Sequence, residues 1–303
     1  MNQARKFSIS LMILLLIAVG SCDQKDSAEI VPTWVPTVSV TPVVTGAQTT
    51  KTPTSNVKPT MTLVPAWPRT EAKNEVVDLL ENNSGCALPC FWGFAPGLTQ
   101  KQELVSKLHK FDSLGGVSGV KFSEDEVDIR VFLSTRASDN PQEIIKHIRV
   151  VFEVYQDFPE GEYQVNPFYE REFYPSLPAL LSEYGEPLNV YIMLDLGKEQ
   201  GMEDLYLLFL DYSDRGWVAI YLMPAACDEE SCRGCPARAS VILDLWEPGD
   251  EEMASEYGFA GKTGNVFSLN EAAFMSVDEF YEIYKNPLSS QCLETPLTIF
   301  PGQ

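Results

Sequence analysis

Apolar positions recur along this chain at two spacings, and the switches between them outline the fold. Ala72, Val76, Leu79 and Leu80 share one helical face, and Asn82-Asn83-Ser84-Gly85 ends that segment with residues that favour a turn. A second helix is predicted from Thr99, where Thr99 and Gln102 have capping-box spacing and Leu104, Val105 and Leu108 would face inward. The period then drops to two. Val127, Ile129, Val131 and Leu133 fall at every second position, as do Ile148, Val150, Phe152 and Val154, with a polar loop around Ser138-Asp139-Asn140-Pro141 between the two runs.

The same order returns after Tyr174. Ser176 is placed to cap a short helix through Leu177, Leu180 and Leu181, and Gly185-Glu186-Pro187 stops it. A strand over 189–196 follows, then a hairpin pairing 205–210 with 217–222 across Tyr212-Ser213-Asp214-Arg215-Gly216, then a strand over 239–246. Ser276 and Glu279 form a second capping box, with Met275 and Phe280 spaced as a hydrophobic staple, for a helix running to about Lys285. Helix followed by strands, twice, with a closing helix, predicts an α+β fold of antiparallel sheets and a few short helices. Residues 70–172 and 173–303 read as two similar helix-then-strands units.

The first 69 residues follow neither period. Arg5 and Lys6 precede an apolar run from about Phe7 to Ala18, shorter than the roughly 20 residues a membrane-spanning helix requires, which predicts a cleaved signal over 1–21. The run ends Val19-Gly20-Ser21-Cys22. An apolar residue and two small ones before a cysteine resemble the lipobox of bacterial lipoproteins, and that resemblance implies cleavage before Cys22 and lipidation of its thiol. Two or three acyl chains at about 0.8 kcal/mol per buried CH2 would anchor the chain firmly to a membrane. Residues 23–69 then hold seven prolines and ten threonines, many as Pro-Thr or Thr-Pro pairs, too little apolar area for a core. Residues 22–69 are therefore expected to be a tether, roughly 40 Å long as a flexible coil and roughly 150 Å as a polyproline stretch. Trp34 and Trp67 are the two tryptophans in it, free to touch lipid or the domain.

Charge separates the tether from the domain. Residues 1–70 carry six Lys/Arg and three Asp/Glu, so the remainder carries 16 against 40, a net −24. Such a surface repels nucleic-acid phosphates and anionic lipid heads, which argues against nucleic acid as a partner. Setting Cys22 aside leaves Cys86, Cys90, Cys227, Cys232, Cys235 and Cys292, an even number that suits three disulfides in an exported domain. Cys86 and Cys90 are near enough to bridge locally across Pro89; on that pairing the cluster 227/232/235 supplies one internal bridge and one bond to Cys292. The alternative is a zinc site of four thiolates from those last four cysteines, with irregular spacing.

Catalytic signals are sparse. His109 and His147 belong to no His-x-x-x-His pair, and the chain lacks a Gly-x-Ser-x-Gly elbow, a phosphate-cradling glycine loop and a dinucleotide fingerprint. Asp244, Glu247, Asp250, Glu251 and Glu252 cluster after a strand, where oxygen ligands suit calcium, but they do not match the twelve-residue calcium loop. No cofactor, metal or catalytic residue is assigned. Aromatics are the stronger lead: Phe158, Tyr163, Phe168, Tyr169, Phe173 and Tyr174 lie in an irregular acidic stretch, a candidate surface for sugars or a partner protein. Phe91, Trp92 and Phe94, beside cysteines and a Pro-Gly turn, read as core.

Two stretches carry a broader resemblance. Phe94-Ala-Pro-Gly97-Leu-Thr99 before a helix, and Leu180-Leu-Ser-Glu-Tyr-Gly185-Glu-Pro187 before a strand, are similar to motifs of small exported α+β domains such as outer-membrane assembly lipoproteins and the beta-lactamase inhibitor protein. The chain as a whole resembles bacterial surface lipoproteins with a Pro-Cys-aromatic-Trp-Gly…Pro-Gly-x-Thr stretch. The resemblance implies protein binding without catalysis. The resulting expectation is a lipid-anchored extracytoplasmic module that binds a protein or a cell-envelope component without catalysis. The alternatives are a glycan- or solute-binding module using the aromatics of 158–174, or a hydrolase built on carboxylates.

Overall fold

The computed structural model describes residues 65–115, 119–124, 127–136, 140, 142–155, 175–196, 204–258, 265–286 and 291–300, all within one compact unit, Pro59–Gln303. The signal, Cys22, the tether up to residue 64 and the aromatic stretch with Tyr163, Phe168, Tyr169, Phe173 and Tyr174 lie outside these residues.

Helix α1 (Arg69–Asn82) buries Ala72, Val76, Leu79 and Leu80, the face expected from their spacing. It ends because Asn83 turns left-handed at φ 48°. The Asn83 amide then organises the loop beyond: Nδ2 donates to the carbonyls of Cys86 (2.6 Å) and Cys90 (2.9 Å), and Oδ1 accepts from the Trp92 N–H at 2.8 Å. A Cys86–Cys90 disulfide closes the same loop, and Phe91, Trp92 and Phe94 enter the core. The folded chain also takes in Trp67, ahead of the boundary that composition suggests. Its ring meets Phe111 edge-on at 5.7 Å and its backbone N–H donates to the Lys110 carbonyl.

Helix α2 (Lys101–His109) buries Leu104 and Leu108, while Val105 stays half-buried. The capping box of Thr99 and Gln102 does not form. Thr99 is buried and its hydroxyl accepts from the Ala95 N–H, closing the Pro-Gly turn, so the helix starts one residue later, with Gln100 as an N-cap that makes no side-chain cap.

Strands β1 (Gly119–Glu124), β2 (Val127–Arg136) and β3 (His147–Tyr155) follow, then α3 (Leu177–Tyr184), capped by the Ser176 hydroxyl. Next come β4 (Asn189–Asp195), β5 (Leu205–Tyr212) and β6 (Trp217–Pro224), and, after two short strands β7 (Ala226–Cys227) and β8 (Ser231–Gly234), β9 (Ser240–Trp246). The chain continues through α4 (Glu251–Tyr257), β10 (Val266–Ser268), α5 (Leu269–Ala273), α6 (Val277–Tyr284) and β11 (Leu293–Pro296). Both α5 and α6 open with a complete capping box, Ser268/Glu271 and Ser276/Glu279.

The fold is α+β, as expected. Eight strands make one antiparallel sheet in the order β1-β2-β3-β9-β6-β5-β4-β10. The two helix-then-strands units share this sheet, because β3 of the first pairs with β9 of the second from His147↔Trp246 to Phe152↔Val241. Its inner face (Val131, Val150, Leu243, Ala219, Leu208 and Ile192 among others) packs on the helices in a core common to both halves.

A second sheet, β11-β8-β7, is stapled on both sides of its central strand. Cys232 on β8 bonds to Cys227, directly opposite on β7, and Cys235 bonds to Cys292 at the start of β11. All four sulfurs of the zinc alternative are thus used in disulfides, in the pairing pattern that local bridging of Cys86 and Cys90 left open. The small sheet rests on the large one where Gly234 abuts the Tyr206 ring and the Tyr206 hydroxyl meets Thr295 Oγ1 at 2.6 Å. Burial raises the Tyr206 hydroxyl well above the ordinary phenol range.

Candidate functional site: the outer face of the large sheet

Strands of a sheet with one solvated face alternate apolar and polar, whereas β5 (Leu-Tyr-Leu-Leu-Phe-Leu) and β6 (Trp-Val-Ala-Ile-Tyr-Leu-Met) are apolar on both faces. The register lines these outer residues into rows. One row crosses six strands, Tyr191–Phe209–Ile220–Ile242–Val151–Phe132, from β4 to β2. A second, Met193–Leu207–Leu222, lies beside it on β4, β5 and β6. Phe132 is 37% exposed, and Tyr191, Ile220, Ile242 and Val151 are half-buried. Among the described residues, α4 is the one helix that contributes to this layer, with Met253, Ala254 and Tyr257 packed around Trp246 and Val218.

A polar cluster fastens α4 to the sheet. Asp244 is 1% exposed, and Arg149 grips it in bidentate fashion, Nε to Oδ1 at 2.7 Å and the guanidinium Nη2 to Oδ2 at 2.8 Å. His147, the cross-strand neighbour of Trp246, reaches Asp244 Oδ1 through Nε2 at 2.9 Å. Burial pushes the Asp244 carboxyl up, but hydrogen bonds from His147 and Arg149 outweigh it and hold the group below the usual carboxylate range. An ionised carboxylate only accepts, so Nε2 is the protonated nitrogen of His147 in this pair. Tyr257 covers the imidazole, and the neighbouring Glu256 pairs with Arg136. The imidazole is thereby committed as donor and platform, the chemistry of a clamp.

The other sequence-singled residues fall elsewhere. The acidic cluster disperses: Asp244 is buried in the clamp, Glu247 lies against Gly97, and Asp250 caps α4, with Glu251 and Glu252 in that helix's first turn where its dipole favours acids. Among the described residues no group of three His, Cys, Asp or Glu side chains is arranged to hold a metal ion. His109 pairs at the surface with Asp112, Nδ1 to Oδ2 at 2.7 Å. Sequence reasoning missed Arg149, Tyr257 and the outer row. The signal for the row was present in the unbroken apolar run of β5.

Together the fold and this face define a class: an α+β domain with a large antiparallel sheet packed by helices on its inner side, an apolar row and the short α4 on its outer side, and a smaller disulfide-stapled sheet beside it. Compared with family models, curated proteins and solved structures, the chain has no match in any of the three. Three disulfides fit an oxidising, non-cytoplasmic location. No described helix is long and apolar enough to cross a membrane.

Proposed function

We propose that this chain is a lipid-anchored extracytoplasmic binding protein that acts without catalysis, holding an acidic domain clear of a bacterial membrane and engaging an envelope protein. The observation that carries the reading is the outer apolar row: strands apolar on both faces are the pattern of a sheet covered on both sides, and among the described residues helices cover the inner side while on the outer side α4 packs at Trp246 and Val218 and Phe132 stays 37% exposed. The lipobox-like Val19-Gly20-Ser21-Cys22 and the Pro/Thr tether support the anchoring, and the disulfides support the compartment. The similarity to exported α+β lipoprotein domains is part of this proposal. Photo-crosslinking on intact cells, with an anchor-and-tether version lacking the domain as control, tests it. A protein captured reproducibly by the full chain and not by the control is expected; identical profiles would remove the support.

A further inference from the structure

We draw no further inference here: the strongest candidate, the apolar row from Tyr191 to Phe132 across the outer face of the large sheet, belongs to the site already described and nothing in the structure shows what covers it.

Discussion

The His147 imidazole lies flat against the Tyr257 ring, 3.9 Å between centroids and 5° from parallel, while its Nε2 donates to Asp244. This contact joins three elements, since His147 begins β3, Asp244 belongs to β9 and Tyr257 ends α4. A seven-residue helix has little stability of its own, so α4 stays on the outer face through such contacts. Tyr257→Ala should therefore cost about 1–3 kcal/mol, and Tyr257→Phe, which keeps the stack, much less. Urea midpoints give the energies, and amide exchange over 251–257 should rise in the alanine variant alone. Equal midpoints for all three proteins would show that the stack contributes nothing.

The same cluster sets a pH dependence. The Asp244 carboxyl is held below its ordinary value in the fold, so its contribution is complete above the unfolded-state value of about 4 and is lost as pH falls through the lower folded value. Asp244→Asn removes that contribution and leaves Arg149 without its bidentate partner, at a cost of about 2 kcal/mol, moderated because Arg149 is itself 41% exposed and can rehydrate. The gap between wild type and Asp244→Asn should narrow as pH falls below about 4. A gap that narrows instead near neutrality would assign the dependence to a different group.

The three disulfides should contribute unequally. Cys235–Cys292 closes a separation of 57 residues, whereas Cys227–Cys232 and Cys86–Cys90 close 5 and 4. Loop-closure entropy gives about 4 kcal/mol for the first and about 2 kcal/mol for each of the others. Paired Cys→Ala variants in urea should rank in that order, with the 235/292 pair the most damaging because it also frees β11 and with it the Thr295 contact to Tyr206. The opposite ranking would mean that folded-state packing, not chain entropy, dominates.

If Cys22 carries lipid as proposed, Cys22→Ser should leave the precursor uncleaved or release the domain from membranes. Membrane fractionation and mass measurement of the N-terminal peptide read this directly. An N-terminal lipid persisting in the variant would refute the assignment.

How much of this was legible in the sequence depends on range. Local patterns placed α1, α3, α6 and strands β2 to β6 and β9 close to where they lie, because each is long enough to show its own period and carries its own cap or turn. The acidic run after Trp246 hid α4: Asp250, Glu251 and Glu252 are both plausible oxygen ligands and good first-turn residues, and only packing of Met253 on Trp246 decides between them. The β7, β8 and β11 strands are too short for a period, and cysteine pairing defines them. The joining of β3 to β9 and the His147–Asp244 contact, 97 residues apart in sequence, are register effects that no local window contains. The inner core was thus readable, while the outer row needed the strand order.

The hairpin that leads to this face supplies the last prediction. Gly216 ends the β5–β6 turn at φ 83°, and a Cβ there would lie 2.5 Å from the Trp246 carbonyl oxygen and 3.0 Å from the Pro248 nitrogen. The same contact region carries the hydrogen bond from the Trp246 N–H to the Gly216 carbonyl, 2.8 Å, which continues the sheet where Trp246 meets α4. Gly185 is the natural control, with a φ of 75° and no atom within 4 Å of its Cβ position. Alanine at Gly185 should cost only the conformational term, about 1–3 kcal/mol, because φ 75° with ψ −158° is a region glycine alone adopts readily. Alanine at Gly216 adds a clash with backbone that cannot swing away, so its cost should exceed that of Gly185→Ala by roughly 2 kcal/mol or more. Tryptophan fluorescence should also shift in Gly216→Ala, as Trp246 is displaced, and stay put in Gly185→Ala. Equal costs at the two positions would show that the turn yields and that Trp246 is not held by it.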